Sequence, residues 1–355
     1  MRSAETESAM VRVMIATPLE EELVRKIEGT DVRLEVLYDP TLLPPPRYPS
    51  DHKGEPSFRR DVAGERRWEE MLEDAKVLFG IPGDSPEMLR EVVRRAPRVE
   101  WIQATSAGAG EQVRMAGLLP EELDRVIVTT SSGIHAGPLA EFCLFGLLAF
   151  NKGLPRLLRD KQERRWDHYP TRELKGTAML IVGLGKIGLE VARLARSFGM
   201  RTIGLKRHPD AELPHVDELH PSEGLQELVP RADAVVVTLP LTERTEGMID
   251  REAISLMKPG CVFVNVGRGG VVDEEALIES LENRRIAGAA LDVFATEPLP
   301  PESPLWDLPN VLISPHTAAL AESENERIVE LFQKNLRLYL QEQPLFNRVD
   351  PQDFY

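Results

Sequence analysis

AMLIVGLGKIGLEVARLARSFG, residues 178–199, decides how this chain folds. Five apolar residues run into a glycine cluster. Beyond it Val191, Leu194 and Phe198 recur at helical spacing. Gly183, Gly185 and Gly188 form a G-x-G-x-x-G pattern where strand gives way to helix, with Lys186 and Ile187 inside the pattern. Gly183 permits a tight turn, Gly185 lets a pyrophosphate approach the backbone, and Gly188 lets helix and strand pack closely. Phosphate would then meet the free N–H groups of the helix start. The alternative is a tight turn that holds no ligand. A buried strand before the glycines and an amphipathic helix after them favour a dinucleotide site.

Working outward, the same alternation repeats. Downstream, short apolar segments at 202–205, 234–238, 261–266, 288–292 and 311–313 join 178–182 as six strand candidates. Upstream, 11–16, 33–38, 99–104 and 126–129 read as strands, with helical spacing at 19–27 and 68–72 and a short apolar segment at 75–80. Strands that do not alternate with polar residues are covered on both faces, so the class is α/β with two doubly wound parallel sheets. A chain of 355 residues also exceeds what one core usually serves. An apolar helix is expected over 139–158. The proline-rich stretch 40–64 is expected as an exposed loop or flap, because proline and charge at that density do not pack a core. A late amphipathic helix near 322–339 is expected to return to the first domain.

The net charge is −15 with a pI near 5.1, a field that repels nucleic-acid phosphates and anionic lipid. Neither nucleic acid nor membrane is an expected partner, and no apolar run reaches the roughly 20 residues a bilayer span needs. The first ten residues, acidic and without a long apolar segment, read as a flexible leader. Cys143 and Cys261 sit in apolar company, which suits buried thiols in a reducing, cytoplasmic setting.

About 20 residues past the glycines, an acidic residue would bind the adenosine ribose of NAD. This chain has Lys206 and Arg207 there instead, in RTIGLKRHPD. Two cations suit a 2′-phosphate, so NADP(H) is favoured and NAD(H) remains open. The alternative is two solvated surface cations beside an NAD site, with Asp210 close by.

The second half resembles the D-isomer-specific 2-hydroxyacid dehydrogenase family. The resemblance rests on GLGKIG (183–188), LPLTERTEGMI (239–249), MKPGCVFVNVGRGGVVDEEAL (257–277), GAALDVFATEPLP (288–300) and PLWDLPNVLISPHTA (304–318). Weaker matches are WIQATSAGAG (101–110) and SSGIHAGPLAEF (131–142). It implies a Rossmann cofactor domain, 134–321, inserted in a substrate domain made of 11–133 and the helix and tail of 322–355. It assigns substrate binding to Arg268 and acid/base work to His316, with Glu297 as the histidine's carboxylate partner. Ser106, Ala107 and Gly108 would offer backbone N–H groups to the substrate carboxylate. Leu239, Pro240, Thr245, Val266, Gly267 and Asp292 would line the cofactor along with Arg268 and His316. It also implies small 2-oxo acid substrates of the glyoxylate or hydroxypyruvate type, no metal, and a homodimer. Lys206 and the 40–64 insertion depart from the family pattern.

The chemistry of these residue types agrees. Arginine presents a planar fork of donors to a carboxylate. Histidine can give a carbonyl oxygen its proton during reduction and take it back during oxidation. A carboxylate on the far ring nitrogen fixes the tautomer. Taken singly, Arg268 could bind a carboxylate elsewhere, His316 could be a turn residue, and Glu297 an exposed loop residue. His135, in the turn before the 139 helix, reads as a hinge or helix-start residue. Trp306 either approaches the substrate or fills a core gap. Two other functions compete: a nicotinamide-binding regulatory or scaffold protein, and a phosphoglycerate-type dehydrogenase, although little chain follows the late helix for a further regulatory domain. Formate oxidation is disfavoured, since that branch carries glutamine at the position of Glu297.

Overall fold

Parallel strands form both sheets of the structure, a computed structural model that describes residues 10–209 and 212–351. Most of the expected leader, and Asp210, lie outside the described residues. The chain divides into two compact units, one running to Ile134 and resuming at Ala321, the other His135–Leu320.

The first unit contains β1 (Val11–Ile15), α1 (Glu21–Glu28), β2 (Leu34–Leu37), α2 (Val62–Asp74), β3 (Val77–Phe79), α3 (Pro86–Arg95), β4 (Trp101–Gln103), α4 (Ala109–Ala116), α5 (Pro120–Arg125) and β5 (Ile127–Thr129). Its sheet has the order β2-β1-β3-β4-β5, parallel throughout. The last helix, Glu324–Tyr339, closes this unit's core. Phe332 packs edge-on against Phe79, ring centroids 5.1 Å apart, and lies 5.0 Å from Trp101. A buried polar relay accompanies it. Trp101 Nε1 donates to Thr129 Oγ1 (2.8 Å), Thr129 Oγ1 to Gln103 Oε1 (2.9 Å), and Asn335 Nδ2 to the same Gln103 oxygen (3.3 Å).

The second unit contains α6 (Ala136–Asn151), α7 (Leu154–Gln162), β6 (Ala178–Val182), α8 (Lys186–Ser197), β7 (Arg201–Lys206), β8 (Glu218–Pro221), α9 (Leu225–Leu228), β9 (Ala234–Val237), α10 (Arg251–Leu256), β10 (Val262–Asn265), α11 (Glu274–Glu282), β11 (Gly288–Leu291) and β12 (Val311–Ile313). The late helix of the first unit is therefore α12. The second sheet runs β12-β11-β10-β9-β6-β7-β8, again parallel. The chain winds outward from β6 through β7 to β8, then returns to β9 on the other side of β6. In open α/β sheets, ligands bind at the strands' carboxyl ends beside such a reversal.

Three expectations need correction. A seventh strand, β8, joins the sheet; its residues ELHP are only partly buried, because an edge strand has one neighbour and needs no apolar run. The 139–158 helix is two helices, α6 and α7, separated where Gly153 takes the left-handed conformation (φ 71°) just before the proline-initiated second helix. The 40–64 stretch is not a bare exposed flap. Leu42, Leu43, Ser50 and Asp51 are buried, and Asp61 caps α2, which starts inside the stretch. Cys143 and Cys261 are free and buried, and burial pushes the Cys261 thiol up to about 12. No helix among the described residues is long and apolar enough to cross a membrane.

Candidate active site

Every expected site residue of the second unit lies at the carboxyl end of a strand or in the loop or helix start that follows it. After β6, Gly183 turns the chain with φ 106°, a conformation that L side chains rarely adopt. A Cβ on Gly188 would lie 2.0 Å from the Gly183 carbonyl oxygen, so only glycine permits α8 to start that close to the turn. A Cβ on Gly185 would meet nothing within 4 Å, and no side chain caps the helix there. The space above Gly185 and the helix start beyond it form a cradle that fits a pyrophosphate. Lys186 and Ile187 begin α8, and partial burial pushes the Lys186 ammonium down.

Lys206 ends β7 and the exposed Arg207 follows it. Asp217 and Glu218 lie beside the start of β7, not its end, and are engaged there: Asp217 with Arg196, and Glu218 with Arg201 and Arg231. Beyond β9, Thr238 Oγ1 donates to the Gly183 carbonyl (2.6 Å), locking the glycine turn to the neighbouring strand. Leu239 abuts Gly183, whose Cβ would sit 2.9 Å from Leu239 Cδ2. Thr245 Oγ1 donates to the Pro240 carbonyl (2.7 Å) and folds that loop back on itself.

Arg268 follows β10 in a turn with little freedom. A Cβ on Gly267 would lie 2.5 Å from the Leu239 carbonyl oxygen, and one on Gly269 would lie 1.9 Å from the Phe294 backbone. Buried Asn265 accepts from the Gly267 N–H (3.0 Å) and donates to the Arg268 carbonyl (3.2 Å). Val266, also buried, precedes the turn. The half-buried Arg268 bonds the Gly267 carbonyl through Nη1 (2.8 Å).

Asp292 directly follows β11 and is buried. Its Oδ1 accepts from Ser314 Oγ (2.6 Å) and from the N–H groups of Thr317 and Ala318 (2.9 Å each), while its carbonyl accepts from the His316 N–H (3.0 Å). These bonds hold the loop after β12, where His316 has φ 57°, an uncommon conformation for a side-chain-bearing residue. His316 Nδ1 meets Glu297 Oε2 at 2.8 Å, and Glu297 Oε1 accepts from the Phe294 N–H (3.1 Å). Both side chains are open to solvent, so the far ring nitrogen can meet a ligand.

In the first unit, Ser106, Ala107 and Gly108 follow β4 and lead into α4, with Ser106 Oγ buried and without a hydrogen bond. His135 stands at the start of α6. Trp306 is half exposed and its indole N–H donates to the Pro300 carbonyl (2.9 Å), so it does not fill a core gap. Sequence reasoning missed Thr238, Asn265 and Ser314. Each is a polar residue at the end of a strand or just past it, one or two positions from a site residue, where an unpaired side chain would be costly. That position was the available signal.

Comparison with known proteins follows this geometry. The family description "D-isomer specific 2-hydroxyacid dehydrogenase, NAD binding domain" matches residues 144–318. A glyoxylate reductase from Thermofilum pendens is 34% identical over 257 residues, covering 69% of this chain and 73% of that protein. A D-3-phosphoglycerate dehydrogenase from Methanocaldococcus jannaschii is 31% identical over 274 residues and 76% of this chain, which spans only 51% of that relative's length. Among solved structures, a D-isomer specific 2-hydroxyacid dehydrogenase from Xanthobacter autotrophicus Py2, in complex with NADPH and MES, superposes with a TM-score of 0.75 at 28% identity, covering 98% of this chain and 100% of that one.

Proposed function

This chain belongs to the D-isomer-specific 2-hydroxyacid dehydrogenases, a family of NAD(P)-dependent oxidoreductases, and on that premise we propose that it reversibly reduces a small 2-oxo acid of the glyoxylate or hydroxypyruvate type to the D-2-hydroxy acid, with NADPH favoured. The observation that carries this reading is the His316–Glu297 pair, 2.8 Å apart and open to solvent, in the same unit as a glycine cradle fit for a dinucleotide. The nicotinamide, when bound, supplies the hydride. Arg268 holds the substrate carboxylate with its two-pronged guanidinium and lends a donor to the oxygen where negative charge grows. Backbone N–H groups of Ser106, Ala107 and Gly108 share the carboxylate. His316 gives its Nε2 proton to the carbonyl oxygen during reduction, while Glu297 holds Nδ1 and fixes the tautomer. Gly183, Gly185, Lys186, Ile187 and Gly188 receive the pyrophosphate, and Lys206 with Arg207 receives a 2′-phosphate. Leu239, Pro240, Thr245, Val266, Gly267 and Asp292 line the nicotinamide side.

Kinetics with NADPH and NADH against glyoxylate, hydroxypyruvate, pyruvate and 3-phosphohydroxypyruvate test this reading. Turnover of none of them by folded, cofactor-binding protein would remove it in favour of a scaffold role. The phosphoglycerate-type reading is supported by similarity over 76% of the chain, and preference for the phosphorylated acid would establish it. A preference of the wild type for NADPH that Lys206→Asp with Arg207→Ala weakens, mainly by raising KM for NADPH, is expected. Wild-type preference for NADH would refute the assignment of the two cations.

Two buried free thiols support a reducing, cytoplasmic setting. The family resemblance supports a homodimer. Much of α6 is buried in its own unit, so the exposed Phe145, Leu157 and Leu158 are the residues we assign to the contact. Light scattering that gives a monomer mass at every concentration would contradict it.

A further inference from the structure

The 40–64 insertion is organised around one histidine. Buried Asp51 accepts from Arg47 Nε (2.6 Å) and Nη2 (2.9 Å) and from the N–H groups of Lys53 (3.2 Å) and Gly54 (3.1 Å), so the loop has a charged internal anchor. Between those donors, the His52 carbonyl accepts from Thr17 Oγ1 at 2.7 Å. Thr17 is buried just past β1, and Gly80, just past β3, lies against it so closely that a Cβ would be 2.4 Å from Thr17 Cγ2. His52 is therefore fastened over the carboxyl end of β1, beside that of β3, on the edge where open α/β sheets bind ligands. The next strand on that edge is β4, whose exit carries the unpartnered Ser106 hydroxyl.

The imidazole itself is held by a relay. Buried Asn325, on α12, donates its amide hydrogens to both oxygens of Glu20, at 2.9 and 3.1 Å. With its nitrogen committed, Asn325 presents Oδ1 to His52 Nε2 at 2.8 Å and can only accept. His52 Nε2 therefore donates, and Nδ1, which has no hydrogen bond among the described residues, is left as an acceptor on a half-exposed ring. A loop that served only as a cover would need neither the fixed tautomer nor a buried asparagine to set it.

We propose that His52 is a substrate-recognition residue whose Nδ1 accepts a hydrogen bond from a hydroxyl on the carbon beside the keto group, so that the chain favours 3-hydroxy-2-oxo acids over their unsubstituted counterparts. The proposal rests on the 2-oxo acid reading and narrows its substrate class to hydroxypyruvate-like acids. Asn325 is a positioning residue that acts through His52.

The test compares hydroxypyruvate with pyruvate by kcat/KM, and D-glycerate with D-lactate by calorimetric binding to the NADP⁺-loaded protein. The wild type should prefer the hydroxylated member of each pair by about tenfold, the effect of one good hydrogen bond. His52→Phe should abolish the preference in both measurements, and His52→Gln, which can offer an amide oxygen, should keep part of it. Nitrogen-15 NMR of the histidines should show His52 as the Nε2–H tautomer, with the Nδ1 signal moving on addition of D-glycerate but not of D-lactate. A preference that survives His52→Phe, or equal losses for both members of each pair, would overturn the proposal. If neither oxo acid is turned over, the activity reading fails, while the binding comparison and the NMR signal still decide the role of His52.

Discussion

Glu297 uses its two oxygens for different purposes: one accepts from the Phe294 N–H at 3.1 Å and steadies the loop, the other holds His316 Nδ1 at 2.8 Å. His316→Ala removes the proposed proton donor and leaves the glycine cradle untouched. It should leave the NADPH dissociation constant near its wild-type value and lower kcat for reduction by about 10²- to 10⁴-fold. Glu297→Gln keeps a side chain of the same shape that can still bond the ring but lacks the charge. Its loss should be smaller, about 10- to 100-fold, as for other groups that orient an imidazole from behind. Rapid-mixing measurements of the hydride step, paired with cofactor titrations, separate the two effects. A Glu297→Gln loss as large as that of His316→Ala would mean that the carboxylate itself carries the proton.

At the scale of the element, the strand–turn–helix unit β6–α8 makes two glycines distinguishable. Gly188→Ala would drive a methyl to within 2.0 Å of the Gly183 carbonyl, so it should lower the melting temperature and cofactor affinity together. Gly185→Ala meets nothing inside the protein and should melt close to the wild type while losing cofactor affinity, because the methyl would occupy the space we assign to a phosphate. Equal melting losses for the two variants would show that Gly185 is kept for the fold. This unit was legible in the sequence because all its information is local: AMLIV is buried on both faces and the glycines are contiguous with it. The strand β8 was not, since its sequence ELHP lacks the apolar run that marked the other strands. The 40–64 stretch misled for a different reason. Its composition describes solvent, but the Arg47–Asp51 pair neutralises the one carboxylate that goes inside, and Leu42 and Leu43 follow it into the core. The Glu297–His316 pairing spans 19 residues and two strand ends, so only the family resemblance pointed to it. The clamp that Asp292 places on the histidine loop left no mark that a spacing rule could read.

At the scale of the whole molecule, the order of folding partners is not the order of the sequence. The first unit gathers five strands from residues 11–129 and then lacks one covering helix until α12, after the whole of the second unit has intervened. Phe332 is the centre of that closure: fully buried, it packs against both Phe79 on β3 and Trp101 on β4. Phe332→Ala removes a large ring from a close-packed site and should cost about 3–5 kcal/mol of stability, with the cavity contributing to the loss. The location of the damage is the sharper expectation. Hydrogen exchange followed by mass spectrometry should show faster exchange in β1, β3 and β4, more than 220 residues away in sequence, while β10, β11 and β12, far closer along the chain, keep wild-type protection. The polar relay from Asn335 through Gln103 to Thr129 and Trp101 should loosen with it, because Asn335 leaves the relay when α12 shifts. Trp101 fluorescence would report that loosening directly. Faster exchange concentrated in β10–β12, with β3 and β4 protected as in the wild type, would contradict the assignment of α12 to the first unit's core.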